Sequence, residues 1–167
     1  EDDCAGYELL SRFGATLAPL VERLGDDGLD TIVLTLARIA QEDPRAALTL
    51  LEGGPALLDR LLSYGEETTL QVFDLANSVV PFGAALAAQL IAVAPDLLRE
   101  GDFETFTSTA ALASSVAQIH PRTALALLVA APAILERTGF DGLRRVAAFA
   151  AALARTHWGD SVQALEN

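Results

Sequence analysis

Four glycine-bearing joints carry the side chains of this chain best suited to binding. They read Gly25-Asp26-Asp27-Gly28, Gly65-Glu66-Glu67, Gly101-Asp102-Phe103-Glu104 and Gly139-Phe140-Asp141-Gly142. Carboxylates gathered along one edge create negative potential and attract cationic partners. Asp26, Asp27, Glu66, Glu67, Asp102, Glu104 and Asp141 are therefore the candidate partner-binding residues. The same residue types also have a structural use. Glycine ends one helix, and an acid caps or flanks the start of the next. The two uses are compatible. No joint has the alternating acids of a calcium loop.

Other reactive side chains do not combine. His120 and His157 lie 37 residues apart, but a metal needs further ligands and no acid recurs beside both. They read as helix-end histidines. Ser108, Ser114 and Ser115 lack the His–Asp arrangement that activates a nucleophile. The single cysteine, Cys4, excludes an internal disulfide framework and a cysteine zinc site. Tyr7, Phe13 and Tyr64 are too scattered for a ligand cage. Trp158 reads as a core anchor, or as a residue covered by a following unit. No enzyme activity, cofactor or metal is expected. A carrier or enzyme with a pocket between helices would need a convergent polar set that the sequence does not offer.

The elements that hold these joints come from duplication. Residues 44–60, PRAALTLLEGGPALLDR, and 121–137, PRTALALLVAAPAILER, are identical at ten of 17 positions without a gap. Leu-Ala recurs at Leu36-Ala37, Leu75-Ala76, Leu112-Ala113 and Leu153-Ala154, with spacings of 39, 37 and 41. Such a period belongs to HEAT-like or armadillo-like arrays, whose common use is to hold partners.

Each unit resolves into three pieces. The first is a helix with apolar residues on one face: Leu29, Ile32, Val33, Leu36, Ile39 and Ala40 in one unit, and Leu143, Val146, Ala147, Ala150, Leu153 and Ala154 in another. Pro44 or Pro121 then starts a second helix, since proline suits the first turn. That helix is expected to close near Gly53-Gly54 or Ala130-Ala131, with Pro55, Pro95 or Pro132 opening a short third helix. The run Ala147-Ala148-Phe149-Ala150-Ala151-Ala152 reads as an inner helix pressed between neighbours, because alanine permits close axes.

The expected fold is all-α: a right-handed HEAT/armadillo-like superhelix of about four units, forming a single domain over 1–167. The units run roughly 1–28, 29–67, 68–104, 105–142 and a partial 143–167.

Composition narrows the function. A net charge of −12 argues against nucleic acid, whose phosphates need cations. No run approaches the roughly 18 apolar residues of a membrane span. The most apolar stretch, Thr123–Leu135, contains Pro132 and reads as a buried helix pair. The start lacks the basic and apolar regions of a signal peptide. With one cysteine, a reducing cytoplasm is the expected location. The absence of methionine and an end in mid-helix suggest a piece of a longer protein.

The repeating pattern of Leu-Ala, a helix restart, Ala-Leu-x-Leu-Leu and Pro-x-Leu-Leu resembles a known bacterial family. So does Arg155-Thr156-His157-Trp158 followed by Ser161-Val162-Gln163-Ala164-Leu165. The family comprises the von Willebrand factor A-containing partner proteins of MoxR-type AAA ATPases, the Rubisco-activating and nitric-oxide-reductase-activating kind. The resemblance implies a repeat region preceding a C-terminal von Willebrand factor A domain, in an adaptor that couples an ATPase ring to a client enzyme. The family's Asp-x-Ser-x-Ser metal motif and any nucleotide loop are absent, so no functional residue is carried over. The expected function is a non-catalytic interaction scaffold. The alternative is a stand-alone HEAT-like adaptor that binds a peptide or basic protein in its groove. The oligomeric state stays open.

Overall fold

The computed structural model describes the backbone of residues 28–165 with Gly14, Leu24 and Gly25, and side chains as far as Arg155. Among the described residues all regular structure is helical and no strand occurs. The elements are α1 (28–42), α2 (Pro44–Glu52), α3 (Gly54–Leu62), α4 (Glu66–Val79), a 3-10 turn (Val80–Phe82), α5 (Ala84–Glu100), α6 (Phe103–Ala117) and α7 (Pro121–Leu165). Two compact units result, Glu1–Pro95 and Asp96–Asn167.

In the first unit, α1 buries Ile32, Leu36 and Ile39 at helical spacing. Leu29, Val33 and Ala40, expected on the same face, are half-buried. The hydroxyl of buried Thr35 lies 2.9 Å from the Thr31 carbonyl and 3.3 Å from that of Phe73, which ties α1 to α4. Asp43 interrupts the chain between α1 and α2. Its carboxylate accepts from the N–H groups of Arg45 and Ala46, both at 3.1 Å, and Pro44 follows at the first helical position. α4 buries Thr69, Val72, Phe73, Ala76 and Val79. Tyr64, two residues past α3, donates to the carbonyl of Pro95 at 3.0 Å.

In the second unit α6 packs along α7. α6 buries Phe106, Thr109, Ala110, Ala113, Val116 and Ala117. α7 buries Ala124, Leu127, Leu128, Ala131, Leu135, Leu143 and Ala147. Gly139 divides α7, with φ 65° and ψ −172°. That region is essentially reserved for glycine, because a Cβ would strain the backbone.

The duplicated segments bury matching positions. Ala47, Leu50, Leu51, Gly54 and Leu58 are buried in one copy, and Ala124, Leu127, Leu128, Ala131 and Leu135 in the other. Arg45 and Arg60 are exposed, as are Arg122 and Arg137. Pro44 and Pro121 each open a helix.

Three expectations need correction. Only Pro55 opens a short third helix; Pro95 lies inside α5 and Pro132 inside α7. Gly53-Gly54 breaks the first copy, whereas the strong helix formers Ala130-Ala131 carry the second copy through its proline. The stretch Thr123–Leu135 is accordingly one continuous helix rather than a pair. Finally, the alanine-rich run is not pressed on all sides. Ala147 is buried, but Ala148 and Ala152 are exposed and Phe149 is 65% exposed. Val146 and Leu153, assigned to the covered face, are exposed as well. Packing reaches only one side of that limb.

Candidate protein-interaction surface

The joints at Gly65 and Gly101 stand at the starts of α4 and α6, and that at Gly139 lies inside α7. Gly65 has φ 107° and ψ 156°, which turns the chain sharply before α4. Glu66 and Glu67 then occupy the exposed first turn. Carboxylates there are favoured by the partial positive charge of the helix N-terminus. Glu67 accepts from the side-chain amide of Gln71 at 3.4 Å, and both stay at the surface.

Asp102 is more committed. Its Oδ1 accepts from the Thr105 N–H and the Thr105 hydroxyl, each at 2.8 Å, and so caps α6. The backbone donor, then the hydroxyl, holds the Asp102 carboxyl below its usual range. Glu104 sits exposed in the first turn of α6. Asp141 is exposed and pairs with Arg144 at 3.1 Å, both largely in solvent. Such a pair contributes little. Asp26 and Asp27 lie outside the described residues.

The structure thus presents Glu66, Glu67 and Glu104 outward, uses Asp102 as a cap, and gives Asp141 a local cation. Chemically these groups can attract a cationic surface. Among the described residues, no group of three or more His, Cys, Asp or Glu side chains is placed to hold a metal ion.

His120 stands just before α7, half-buried. Its Nδ1 accepts from the Thr123 N–H at 3.3 Å and lies 2.9 Å from the Thr123 hydroxyl. This is a capping arrangement. The side chains of His157 and Trp158, and Cys4, lie outside the described residues. Ser114 and Ser115 donate to the carbonyls of Ala110 and Ala111, both at 2.9 Å, so both hydroxyls serve their own helix. A hollow of about 10 Å³ among Leu36, Leu50, Leu51, Leu57, Phe73 and Ile91 is entirely apolar and about one water in size.

Sequence reasoning missed the open side of α7. Within Pro121–Arg155 a window of mean hydropathy 1.4 is only 28% buried, and the helix is long and apolar enough to cross a membrane by length and composition. Its exposed apolar residues include Val129, Val146, Phe149 and Leu153. The available signal was that Phe149 falls between Arg145 and Arg155 in an otherwise acidic chain. No protein-family model, curated protein or solved structure matches this chain.

Proposed function

We propose that the chain is a non-catalytic interaction scaffold built from a repeated helical module, arranged as a right-handed HEAT/armadillo-like array. In this reading it is the repeat segment of a cytoplasmic adaptor that couples a MoxR-type AAA ATPase to a client enzyme. The observation that carries the modular part is the matched burial of residues 44–60 and 121–137, down to the pairs Leu51/Leu128 and Leu58/Leu135. Two stretches that bury the same positions behind the same proline are supported as copies of one packing unit.

The exposed acids Glu66, Glu67 and Glu104 support a role in contacting a basic partner surface. They also favour a second reading, a stand-alone adaptor that holds a basic peptide or protein without an ATPase.

The full chain, immobilised, should retain a co-encoded MoxR-type ATPase at moderate salt and micromolar concentration. Glu66→Lys with Glu67→Lys should weaken retention at least tenfold. No retention of the ATPase sinks the coupling role. Capture of a basic client alone supports the second reading.

A further inference from the structure

Asp43 and His120 each stand one residue before the proline that opens a duplicated segment, and Ala46 and Thr123 are likewise matched two residues past it. Both positions cap a helix, with groups of different acid–base character. The Thr123 N–H lies 3.3 Å from Nδ1 of His120 and is shared with the His120 carbonyl at 3.1 Å. An amide N–H can only donate. Nδ1 therefore holds a lone pair, and the proton of the neutral ring sits on Nε2. The Thr123 hydroxyl, 2.9 Å from the same nitrogen, can give or take a hydrogen bond there. Imidazole is the side chain whose charge ordinarily changes between pH 5 and 8. The added proton goes to Nδ1, and the ring loses its one acceptor. The Thr123 hydroxyl can then accept from Nδ1–H, but the Thr123 N–H keeps only the His120 carbonyl. The ring also brings a positive charge to a helix N-terminus, whose partial charge has the same sign.

The neighbouring elements do little to offset this. Between Glu104 and Glu136 the only charged or titratable side chains are His120 and Arg122, and Arg122 is exposed. Both of those acids are about four helical turns away along α6 or α7. Asp96 and Glu100, at the end of α5, precede the remote end of α6 and are both engaged by Arg99. Beyond Gly139 the described charges of α7 are Asp141, Arg144, Arg145 and Arg155, and Asp141 is paired with Arg144. Along α6 and the first limb of α7, among the described residues, no carboxylate stands by to stabilise an imidazolium.

We propose that His120 makes the corner between α6 and α7 sensitive to pH: the neutral ring closes the start of α7, and the protonated ring loosens it. The corner is otherwise closely made. The His120 N–H donates to the Val116 carbonyl at 2.8 Å, and Val116 and Ala124 are buried on either side of the turn. Loosening the first turn of α7 therefore acts on its packing against α6. In the first copy Asp43 caps α2 with a carboxylate, a group type that keeps its charge between pH 5 and 8. The duplicated module thus carries one cap that ignores this range and one that responds to it. The proposal stands apart from the scaffold reading and from any partner.

Urea denaturation of the full chain and of His120→Asn, at about pH 8 and about pH 5, tests it. The asparagine amide caps a helix without titrating. His157 and the carboxylates are common to both proteins and cancel in the comparison. Relative to His120→Asn, the wild-type folding constant should fall about threefold or more from the higher pH to the lower, the size of a weakened cap. In the wild type alone, amide exchange followed by NMR should show the Thr123 protection factor falling about threefold over the same range. That of Ala46, the matched amide on Asp43, should hold. A relative folding constant that stays level or rises towards the lower pH overturns the proposal. So does Thr123 protection that falls no further than that of Ala46, which marks general loosening by acid. The exchange measurement needs no variant, so poor folding of His120→Asn leaves the proposal open to refutation. Neither readout involves an ATPase, and failure of the scaffold reading leaves the cap standing.

Discussion

Asp43 and His120 stand at the same point of the two duplicated segments, and each offers an acceptor to the helix that follows. The Asp43 carboxylate takes the N–H groups of Arg45 and Ala46, and the His120 Nδ1 takes that of Thr123. A helix start leaves N–H groups without intrahelical acceptors, so any suitably placed acceptor stabilises it. Different chemistry thus serves one geometric requirement. Asp43→Ala should lower stability by about 1 kcal/mol. His120→Asp should retain or raise it. Urea denaturation of the three proteins measures both effects, and an unchanged Asp43→Ala midpoint would remove the cap from the account.

The two glycines that interrupt helices should respond in opposite ways to alanine. Gly53 has φ −89° and ψ 0°, which any residue accepts, and a Cβ there meets nothing within 4 Å. Gly53→Ala should stabilise the chain by about 0.4–1 kcal/mol, through lower entropy of the unfolded chain. At Gly139, φ 65° with ψ −172° excludes a side chain without strain. Gly139→Ala should cost about 1–3 kcal/mol. Thermal melts of both variants decide the matter, and equal signs would contradict it.

Leu51 and Leu128 occupy matched buried sites, so truncating them should hurt comparably. Each Leu→Ala change should cost about 2–5 kcal/mol, as core truncations do. An exposed change at the matched pair Arg45 and Arg122 should stay within about 0.5 kcal/mol. A large asymmetry between the two leucines, by guanidinium denaturation, would argue against equivalent packing.

Asp102 should give the chain a local sensitivity to acid. Its carboxyl is held below the usual range because Thr105 donates its N–H, and then its hydroxyl, to the ionised form. A group whose folded pKa is depressed contributes stability above its unfolded value, about 4. That contribution disappears as pH falls through the lower folded value. Asp102→Asn keeps a capping side chain without the charge. The stability difference between wild type and Asp102→Asn should therefore be constant near neutral pH and shrink below about pH 4. Denaturation across that range tests it. A pH-independent difference would show that the charge is irrelevant.

The all-helical character was legible because leucines and alanines recur at helical spacing, and the starts at Pro44 and Pro121 were legible from proline itself. The two inner breaks were not equally readable. Pro132 looks like Pro55 in sequence, yet the alanines before it favour continuation while the glycines before Pro55 do not. Burial along α7 was misjudged for a different reason. Helical periodicity places Val146, Ala147 and Leu153 near one another, but it cannot say how much of that arc a neighbour covers. At the joints, residue type alone did not distinguish Asp102, which caps α6, from Glu104 two positions later. That choice is made by Thr105, whose two donors select one carboxylate.

The difference between Gly53-Gly54 and Ala130-Ala131 gives the duplicated module an adjustable length. With Gly53-Gly54 the segment is jointed, as α2 and α3, and with Ala130-Ala131 it is one continuous helix, while the leucines facing inward keep their places. A lineage or a designer could thus lengthen a strut at this spot and leave its buried contacts untouched.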